Sequence, residues 1–369
     1  MVVSKVAPDD AKGYMWLADQ LRQAILGGEI PTGETLPAVK FLGKKYGTSP
    51  ETARRAAKQL QSEGLVSSQP RQGFRVLARS NDPDRGLPIA FVVDDSHVPG
   101  AWDDFYRHLF AGLQNAAGER HWPMLAVGTA SRSGRQVMEQ LRDCRACGIV
   151  LDAMHPELVA AVKGMGMPMV MMDAWQSDMQ LDAVVQDSFQ GALQAVKFLA
   201  GRGHTRIGWL GKIAQSVQSQ ERFGGFCAGL AAHGLSFRAE WMRDTPAEKT
   251  AAVARKLLSG RDRPTAVVGP WNAEAAELSN AAVELGLTQG KDVDLVGWSA
   301  AELYSTEYRA RFGAAPLTPT MVWNIADLAR ATIARLAERR LNPTLPAALI
   351  KIPTRLVLPP DYPSTKARI

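Results

Sequence analysis

Basic and small polar side chains recur within the first eighty residues at spacings suited to contact with a polyanion. A helix is predicted from Pro50 to Glu63, with Ser49 as its N-cap. Alanines and a leucine fall on one face of this helix, whereas Arg54, Arg55 and Lys58 fall mainly elsewhere on its surface. Such a helix can pack closely on its neighbours while its outer face enters the major groove of DNA. We therefore expect the chemistry of this segment to be nucleic-acid binding.

Two helices before this segment and a hairpin after it would hold it in place. A helix is predicted over Tyr14 to Gly27 and a second one begins near Pro37. Two short strands are predicted after the third helix, and the loop between them carries Arg71. The order helix, helix, turn, helix, hairpin predicts a winged helix-turn-helix, in which Arg71 reaches a phosphate or the minor groove.

The excess of positive charge is concentrated in the same segment. The first 80 residues hold 12 Lys and Arg against 7 Asp and Glu, whereas the remaining 289 hold 31 against 30. A small basic module joined to a nearly neutral large one is typical of a polyanion binder with a regulatory partner. A solvated charged face is the alternative interpretation of the charge alone.

Several motifs between residues 14 and 77 resemble the DNA-binding domain of the GntR family. They are the segments 17–22, 33–38, 47–54 and 63–66, which occur in the order typical of that family. The resemblance implies DNA contacts for Lys40, Ser49, Thr52 and Arg54, and for Gln72 and Gly73 at the tip of the wing. Pro50 and Glu51 depart from the family pattern, so no operator sequence can be transferred.

Short apolar runs alternate with helical patterns after a polar, proline-bearing linker. This alternation predicts an α/β domain with a parallel sheet. We therefore predict a winged helix-turn-helix domain over residues 1–79, a linker over 80–88 and a second domain over 89–369.

The second domain resembles the sensor domain of LacI-family repressors. The similarity lies in Asp187 with Gly191, in segments 198–207, 222–226, 264–268 and 294–298, and in Asn272 and segment 316–318. It implies a two-lobed periplasmic-binding-protein type I fold with three crossovers, fused to a GntR head as in regulators of the arabinose-repressor type. It also implies ligand contacts for Arg222, whose guanidinium forks onto ligand oxygens, and for Asn272. Ser299 stands where sugar-binding relatives often carry an Asp, which argues against a standard free sugar.

Four tryptophans each follow a predicted strand, where the loops of a ligand cleft would lie. They are Trp102, Trp175, Trp271 and Trp298. Aromatic faces stack on sugar rings or planar ligands, although each of these residues could equally belong to the core or close the lobes. Trp209 lies within a predicted strand and is assigned to the core.

Other chemistries have little support in the sequence. Cys144 and Cys147 form a single Cys-x-x-Cys pair, for which burial as small residues is favoured over zinc or redox chemistry. His204 is assigned a structural role, and the six histidines show no metal spacing. We find no nucleophile elbow and no Walker loop, and we predict no cofactor. An α/β enzyme and a solute-binding protein remain as alternatives for the cleft.

The remaining expectations concern location and partners. No apolar run of membrane-spanning length and no secretory signal is recognised, and there are three cysteines, so a cytoplasmic protein is expected. The expected partners are a roughly palindromic operator, a carbohydrate-like effector and a second copy of the chain in a homodimer.

Overall fold

A computed structural model describes the chain over the following stretches, to which all structural statements refer. They are residues 13–26, 29–63, 65–69, 73–77, 87–93, 104–129, 134–152, 155–176, 179–214, 216–244, 249–304 and 306–363. The chain divides into an N-terminal unit, Met1–Gly86, and a C-terminal unit, Leu87–Ile369. Within the described stretches no helix has the length and apolar character needed to cross a membrane.

The N-terminal unit has three helices followed by a hairpin, which confirms the winged helix-turn-helix prediction. Its elements are α1 (Tyr14–Leu26), α2 (Val39–Tyr46), α3 (Pro50–Ser62), β1 (Val66–Gln69) and β2 (Gly73–Val76). The strands β1 and β2 pair antiparallel. Its core is built from buried leucines of α1 and α2 and from the alanines of α3. Because those alanines are small, α3 packs closely on both neighbours, and its other face stays exposed.

The turn between α2 and α3 fixes the start of α3. Gly47 ends α2 with φ 67°, a left-handed conformation that glycine adopts readily, and its N–H donates to the carbonyl of Gly43. A Cβ at Gly43 would lie 2.8 Å from the carbonyl oxygen of Thr48, so this close approach also requires glycine. The Ser49 side chain accepts a hydrogen bond from the backbone N–H of Thr52 at 3.0 Å, which confirms Ser49 as the N-cap.

The C-terminal unit has two lobes, each built on a six-stranded sheet. In the first lobe the strand order is β13-β7-β6-β5-β3-β4 and every pairing is parallel. These strands are β3 (Ile89–Val93), β4 (Met124–Gly128), β5 (Gly148–Asp152), β6 (Met169–Met172), β7 (Asp182–Gln186) and β13 (Leu349–Ile352). The helices of this lobe are α4 (Asp104–Gly118), α5 (Gly134–Asp143), α6 (Pro156–Lys163) and α13 (Ile325–Leu341). Three of these strands, β3, β6 and β7, are buried along their whole length, as the apolar runs predicted.

The second lobe has the strand order β14-β12-β11-β10-β8-β9. Its strands are β8 (Ile207–Leu210), β9 (Met242–Arg243), β10 (Ala266–Val268), β11 (Asp294–Ala300), β12 (Thr320–Trp323) and β14 (Arg355–Val357). Its helices are α7 (Ser188–Gly201), α8 (Val217–Ala232), α9 (Thr250–Leu258), α10 (Asn272–Glu284), α11 (Ala301–Tyr304) and α12 (Glu307–Phe312). The chain passes between the lobes after β7, β12 and β13, which gives the three expected crossovers.

Candidate functional site

The exposed face of α3 carries residues that the sequence assigned to DNA contact. The Arg54 side chain is 56% exposed, and its Nη1 lies 3.3 Å from the carboxylate of Glu51. An exposed pair of this kind contributes at most about 1 kcal/mol, so Glu51 holds Arg54 only weakly against a competing phosphate or base. The Ser49 and Thr52 hydroxyls lie 2.8 Å apart at the N-terminus of α3, the end of a helix that attracts anions.

Two further basic residues from the sequence prediction are also accessible in the N-terminal unit. The guanidinium carbon of Arg55 lies 4.1 Å from the centroid of the Tyr14 ring, a cation–π contact that orients Arg55 along α1. Lys40 is exposed on α2. Both side chains are therefore accessible to the phosphate backbone of DNA.

The hairpin is tied to the loop that precedes α2. Gly73 begins β2 with φ 92°, a left-handed conformation that favours glycine. Thr35 and Arg75 form an isolated antiparallel bridge, and Arg75 Nε donates to a backbone carbonyl of that loop at 2.9 Å. Arg71 and Gln72, which the sequence assigned to the wing tip, lie outside the described residues.

Arg222 lies where the carboxyl ends of the two sheets meet in the C-terminal unit. It belongs to α8 and is only 2% exposed. Its Nη2 donates to Gln186 Oε1 at 2.8 Å, its Nε to Ser188 Oγ at 3.4 Å, and its Nη1 to the carbonyl of Pro270. Gln186 ends β7 of the first lobe and Pro270 follows β10 of the second, so one guanidinium joins both lobes. Burial lowers the pKa of Arg222 to about 9.

Two of the predicted tryptophans cover the guanidinium of Arg222. Its central carbon lies 4.6 Å from the ring centroid of Trp271 and 4.2 Å from that of Trp298. Both distances are typical of cation–π contacts, which orient the guanidinium and partly offset the cost of burying its charge. We refer to Asp173, Gln186, Ser188, Arg222, Trp271 and Trp298 as the interlobe site.

Trp298 and Ser299 do not lie in a loop beyond a strand, so that part of the prediction is wrong. The strand β11 continues to Ala300 because its last four residues pair with β12. Trp298 is therefore buried within the sheet, and its Nε1 donates to Gln186 Oε1 at 2.7 Å. The Ser299 hydroxyl is also buried and donates to the carbonyl of Ala300 at 3.2 Å.

Gln186 and Asp173 are central to the interlobe site, and the sequence prediction missed both. The Gln186 amide nitrogen donates to the Asp173 carboxylate, at 3.0 Å and 3.3 Å from its two oxygens. Burial raises the pKa of Asp173 to about 6. Gln218 of α8 donates to the backbone carbonyl of Asp173, which adds a further bond between the lobes. The available signal was position, because Asp173 directly follows β6 and Gln186 is the last residue of β7, at the carboxyl ends of two neighbouring strands.

Glu274 is a second buried carboxyl group near Arg222 that the sequence prediction missed. It lies in the first turn of α10, and burial raises its pKa. Its Oε2 is buried and has no hydrogen-bond partner among the described residues. The positive charges of Arg222, Lys212 and Arg311 act in the opposite direction and favour the carboxylate. Glu274 therefore offers an acceptor oxygen at the carboxyl edge of the second sheet.

The remaining predicted ligand contacts are more dispersed. Asn272 is the first residue of α10, and the N-cap position before it is Trp271, whose side chain makes no cap bond. Trp175 follows β6 and packs on the core of the first lobe, and its indole Nε1 is buried with no partner among the described residues. Trp102 lies outside the described residues. The structure thus brings Arg222, Trp271 and Trp298 together, whereas in the described part of the chain no hydrogen bond or cation–π contact joins Arg222 to Trp175 or Ser299.

Residues considered for other chemistries have structural contacts. The thiols of Cys144 and Cys147 are half-buried and donate to backbone carbonyls. His204 is buried and bonds to Thr265 and Asp294, consistent with its assigned structural role. Among the described residues no cluster of three or more His, Cys, Asp or Glu is arranged to hold a metal ion. Trp209 is fully buried, which confirms its assignment to the core.

Comparison with known proteins identifies both units of the chain. Residues 14–76 match the gntR family of bacterial regulatory proteins, and residues 87–298 match the periplasmic binding proteins and sugar binding domain of the LacI family. The HTH-type transcriptional repressor PurR of Pectobacterium carotovorum subsp. carotovorum is 25% identical over 289 residues, which cover 76% of this chain and 81% of that repressor. The ribose operon repressor of Haemophilus influenzae is 24% identical over 273 residues, or 72% of this chain and 78% of that one.

Solved structures give the same fold for the C-terminal unit. A regulatory protein of the LacI family from Chloroflexus aggregans has a TM-score of 0.65 and 22% identity, and the match covers 74% of this chain and 97% of that protein. The LacI-type match spans more than half of this chain, and the related repressors act on DNA rather than as enzymes. The chain therefore belongs to the family of periplasmic binding proteins and sugar binding domains of the LacI family, with an N-terminal unit that matches the gntR family, and is a DNA-binding transcriptional regulator with a ligand-binding sensor domain.

Proposed function

We propose that this protein is a cytoplasmic repressor whose affinity for operator DNA is set by a carbohydrate-like molecule bound at the interlobe site. In this proposal α3 reads the major groove through Arg54, and Ser49, Thr52 and Lys40 contact phosphates. Arg222, Trp271 and Trp298 bind the effector, and Trp175, Asn272 and Ser299 are proposed as further ligand contacts. Arg71, Gln72 and Gly73 of the wing and Trp102 of the sensor complete the proposed contacts.

One observation carries this proposal. The same chain presents an exposed basic helix and a site at which hydrogen bonds from α8 and β11 converge on the end of β7. Because those bonds join two lobes, a ligand that competes for them changes the relative free energies of lobe arrangements. A ligand that alters the lobes can then alter DNA binding through its differential affinity for two states.

A carbohydrate-like effector is supported by the aromatic and polar composition of the site. Indole faces such as that of Trp271 pack on the apolar face of a sugar ring, and amide and guanidinium groups bond its oxygens. One related repressor is named for the ribose operon. The names of these related repressors also support repression of transcription, and not activation, as the result of operator binding.

We further propose that the chain acts as a homodimer on a roughly palindromic operator. A twofold dimer places two reading helices on two half-sites about one helical turn apart. Effector binding at each sensor then changes the spacing of the heads and thereby the affinity for the operator.

The test begins with selection of operator sequences from random DNA by the full-length protein. Operator affinity is then measured by gel shift for wild type, Arg54→Ala and the control Arg261→Ala, which removes an equal charge from the exposed surface of the C-terminal unit. Because a base-reading arginine contributes about 1–3 kcal/mol, Arg54→Ala should weaken binding by roughly 5- to 150-fold and relax the sequence preference. Arg261→Ala should bind like wild type. Equal affinities for all three proteins would remove Arg54 from the reading surface.

A further inference from the structure

Three arginines are buried among the described residues of the C-terminal unit, and they differ in what balances their charge. Arg202 is 7% exposed and its Nε lies 2.5 Å from Asp294 Oδ2. Arg335 is 9% exposed and its Nη2 lies 2.8 Å from Asp182 Oδ1. Arg222 is the most deeply buried of the three, at 2%. Two of these arginines therefore follow the usual pattern, in which a buried charge is paired with its opposite.

Arg222 lacks such a pair within the described part of the chain. Its hydrogen-bond acceptors are a hydroxyl, an amide oxygen and a backbone carbonyl, all of which are neutral. No carboxylate oxygen in the described residues lies within the 4.0 Å that defines an ion pair with it. A desolvated guanidinium with only neutral acceptors is costly, and cation–π contact with Trp271 and Trp298 compensates only part of that cost. The site is therefore suited to a counter-ion.

The charged groups that face Arg222 do not supply this counter-ion directly. Asp173 accepts from the Gln186 amide, and Glu221 lies 2.8 Å from the ammonium of Lys351. Glu274 experiences Lys212 and Arg311 in addition to Arg222. The four cations and the carboxyl groups thus lie around one region, but no carboxylate of the described residues makes a direct ion pair with Arg222.

We propose that the effector carries an anionic group, a carboxylate or a phosphate, that binds against the guanidinium of Arg222. This inference rests on the proposed function and specifies the chemical class of the effector. The rings of Trp271 and Trp298 both lie against the guanidinium, so we place the anion at its hydrogen-bonding edge. At this edge Gln186 Oε1 accepts hydrogen bonds from both Arg222 and Trp298. An anionic oxygen of the effector can replace Gln186 Oε1 as the acceptor of these two hydrogen bonds. The effector class is then a sugar acid or a sugar phosphate.

Calorimetric titration of the full-length protein distinguishes the charged classes from neutral sugars. D-glucose, D-gluconate and D-glucose 6-phosphate form one matched set, and the corresponding ribose and galactose compounds form two more, with inorganic phosphate added alone. In at least one set a charged member should bind ten or more times more tightly than its neutral sugar. Binding of an acid alone identifies a carboxylate effector, and binding of a sugar phosphate alone identifies a phosphate effector. Equal or tighter binding of the neutral sugar overturns the inference but leaves effector control intact, and equal binding of inorganic phosphate indicates an adventitious ion only.

The pH dependence of binding gives a second readout. An anion placed near Asp173 raises the pKa of that carboxyl group further, so binding takes up a proton. The affinity for a sugar acid, whose own charge is constant between pH 8 and 6, should therefore increase as the pH falls over this range. An affinity that is constant over this range contradicts the placement of the anion beside Asp173.

Two methionine substitutions test the unbalanced charge without any ligand, and a lysine substitution at position 222 tests anion binding. Arg202→Met breaks a buried ion pair and should lower the Tm of the full-length protein by roughly 6–15 °C. Arg222→Met removes a buried charge that has no ion-pair partner but leaves three neutral acceptors without a donor, so its Tm should fall clearly less than that of Arg202→Met. Arg222→Lys keeps the charge and should retain part of the anion binding that Arg222→Met loses. A fall in Tm for Arg222→Met as large as that for Arg202→Met would overturn the inference.

A different experimental result would refute the proposed function. If the protein binds its selected operator and no bound sugar compound alters that affinity, effector control of DNA binding is wrong. The melting comparison of the two methionine variants is independent of that result. The two hypotheses can therefore be rejected separately.

Discussion

Asp294 shows how a single buried carboxylate connects distant parts of the second lobe. It begins β11 and accepts hydrogen bonds from Arg202 Nε at 2.5 Å, from His204 Nε2 at 2.7 Å and from the Tyr362 hydroxyl at 2.6 Å. Burial alone would raise the pKa of Asp294, but the hydrogen bonds from His204, Tyr362 and Arg202 outweigh it and lower the pKa to about 2. The carboxylate therefore ties β11 to the end of α7 and to the C-terminal segment.

The Asp294 network predicts a specific loss of stability in acid. Because the folded pKa of about 2 lies below the ordinary value of 3.8, the stabilisation is complete above pH 4 and is lost as the pH falls from about 4 to 2. That shift corresponds to about 2 kcal/mol in the free energy of unfolding. Asp294→Asn should lower the free energy of unfolding at pH 7 and reduce its dependence on pH between 4 and 2.

Denaturant unfolding at several pH values measures this effect. Asp262→Asn is the matched control, because Asp262 belongs to the same lobe but its side chain is 70% exposed. The control should unfold like wild type at every pH. If Asp294→Asn loses no more stability than the control, the network does not stabilise the lobe.

Single residues differed in how far the sequence revealed their roles. Ser49 was predictable because an N-cap depends only on the residues that follow it. The same holds for Asp187, whose side chain accepts from the backbone N–H of Gln190. Gln186 was not predicted, because its role depends on Arg222 and Trp298, which are distant in sequence and approach it only in the folded unit.

The contact between α7 and α8 is the element-scale feature that positions Arg222. α7 carries Ser188 in its first turn and α8 carries Arg222, and the two helices pack closely along their lengths. At Gly225 of α8 an added Cβ would overlap the carbonyl of Phe189 in α7. At the adjacent Gly224 it would lie 3.8 Å from the Phe189 ring, an ordinary contact. At this point of the contact the close approach therefore requires glycine at position 225 and not at position 224.

Alanine substitutions at these two glycines should have opposite effects on stability. Gly225→Ala forces the helices apart and should cost about 2–4 kcal/mol in the free energy of unfolding. Gly224→Ala should be neutral or stabilise by up to about 1 kcal/mol, because alanine is the better helix former. Thermal melts of the two variants measure the difference, and equal melting temperatures would show that α7 and α8 are not in such close contact.

Element boundaries were predicted well where they depend on local signals. The prediction of α3 was correct to within one residue, since a cap, a proline and a following glycine mark its ends. β11 was predicted too short, because Gly297 to Ala300 extend it only through pairing with β12. That pairing joins segments more than twenty residues apart. Because no local sequence pattern reveals this pairing of β11 with β12, Trp298 was assigned to a loop.

At the scale of the whole molecule, a small basic unit is joined to a much larger sensor. One winged unit alone offers a limited surface to DNA, on the order of 600–1,000 Å² for a single module. Two such units in one dimer bind a two-site operator more tightly, because binding of the first raises the effective concentration of the second. Pairing of chains would thus account for how so small a head achieves operator affinity.

The spacing of half-sites should therefore control operator affinity in the full-length protein. An operator with one half-site scrambled should bind roughly 100-fold more weakly, since the second unit then gains only contacts with the DNA backbone. Insertion of about 5 base pairs between the half-sites turns them to opposite faces of the duplex and should cost as much. Because a full helical turn restores the shared face, inserting about 10 base pairs should recover more affinity than 5, unless the added length exceeds the reach of the dimer. Gel shifts at one fixed salt concentration compare these DNAs, and equal affinity for one and two half-sites would mean that the protein reads its operator as a monomer.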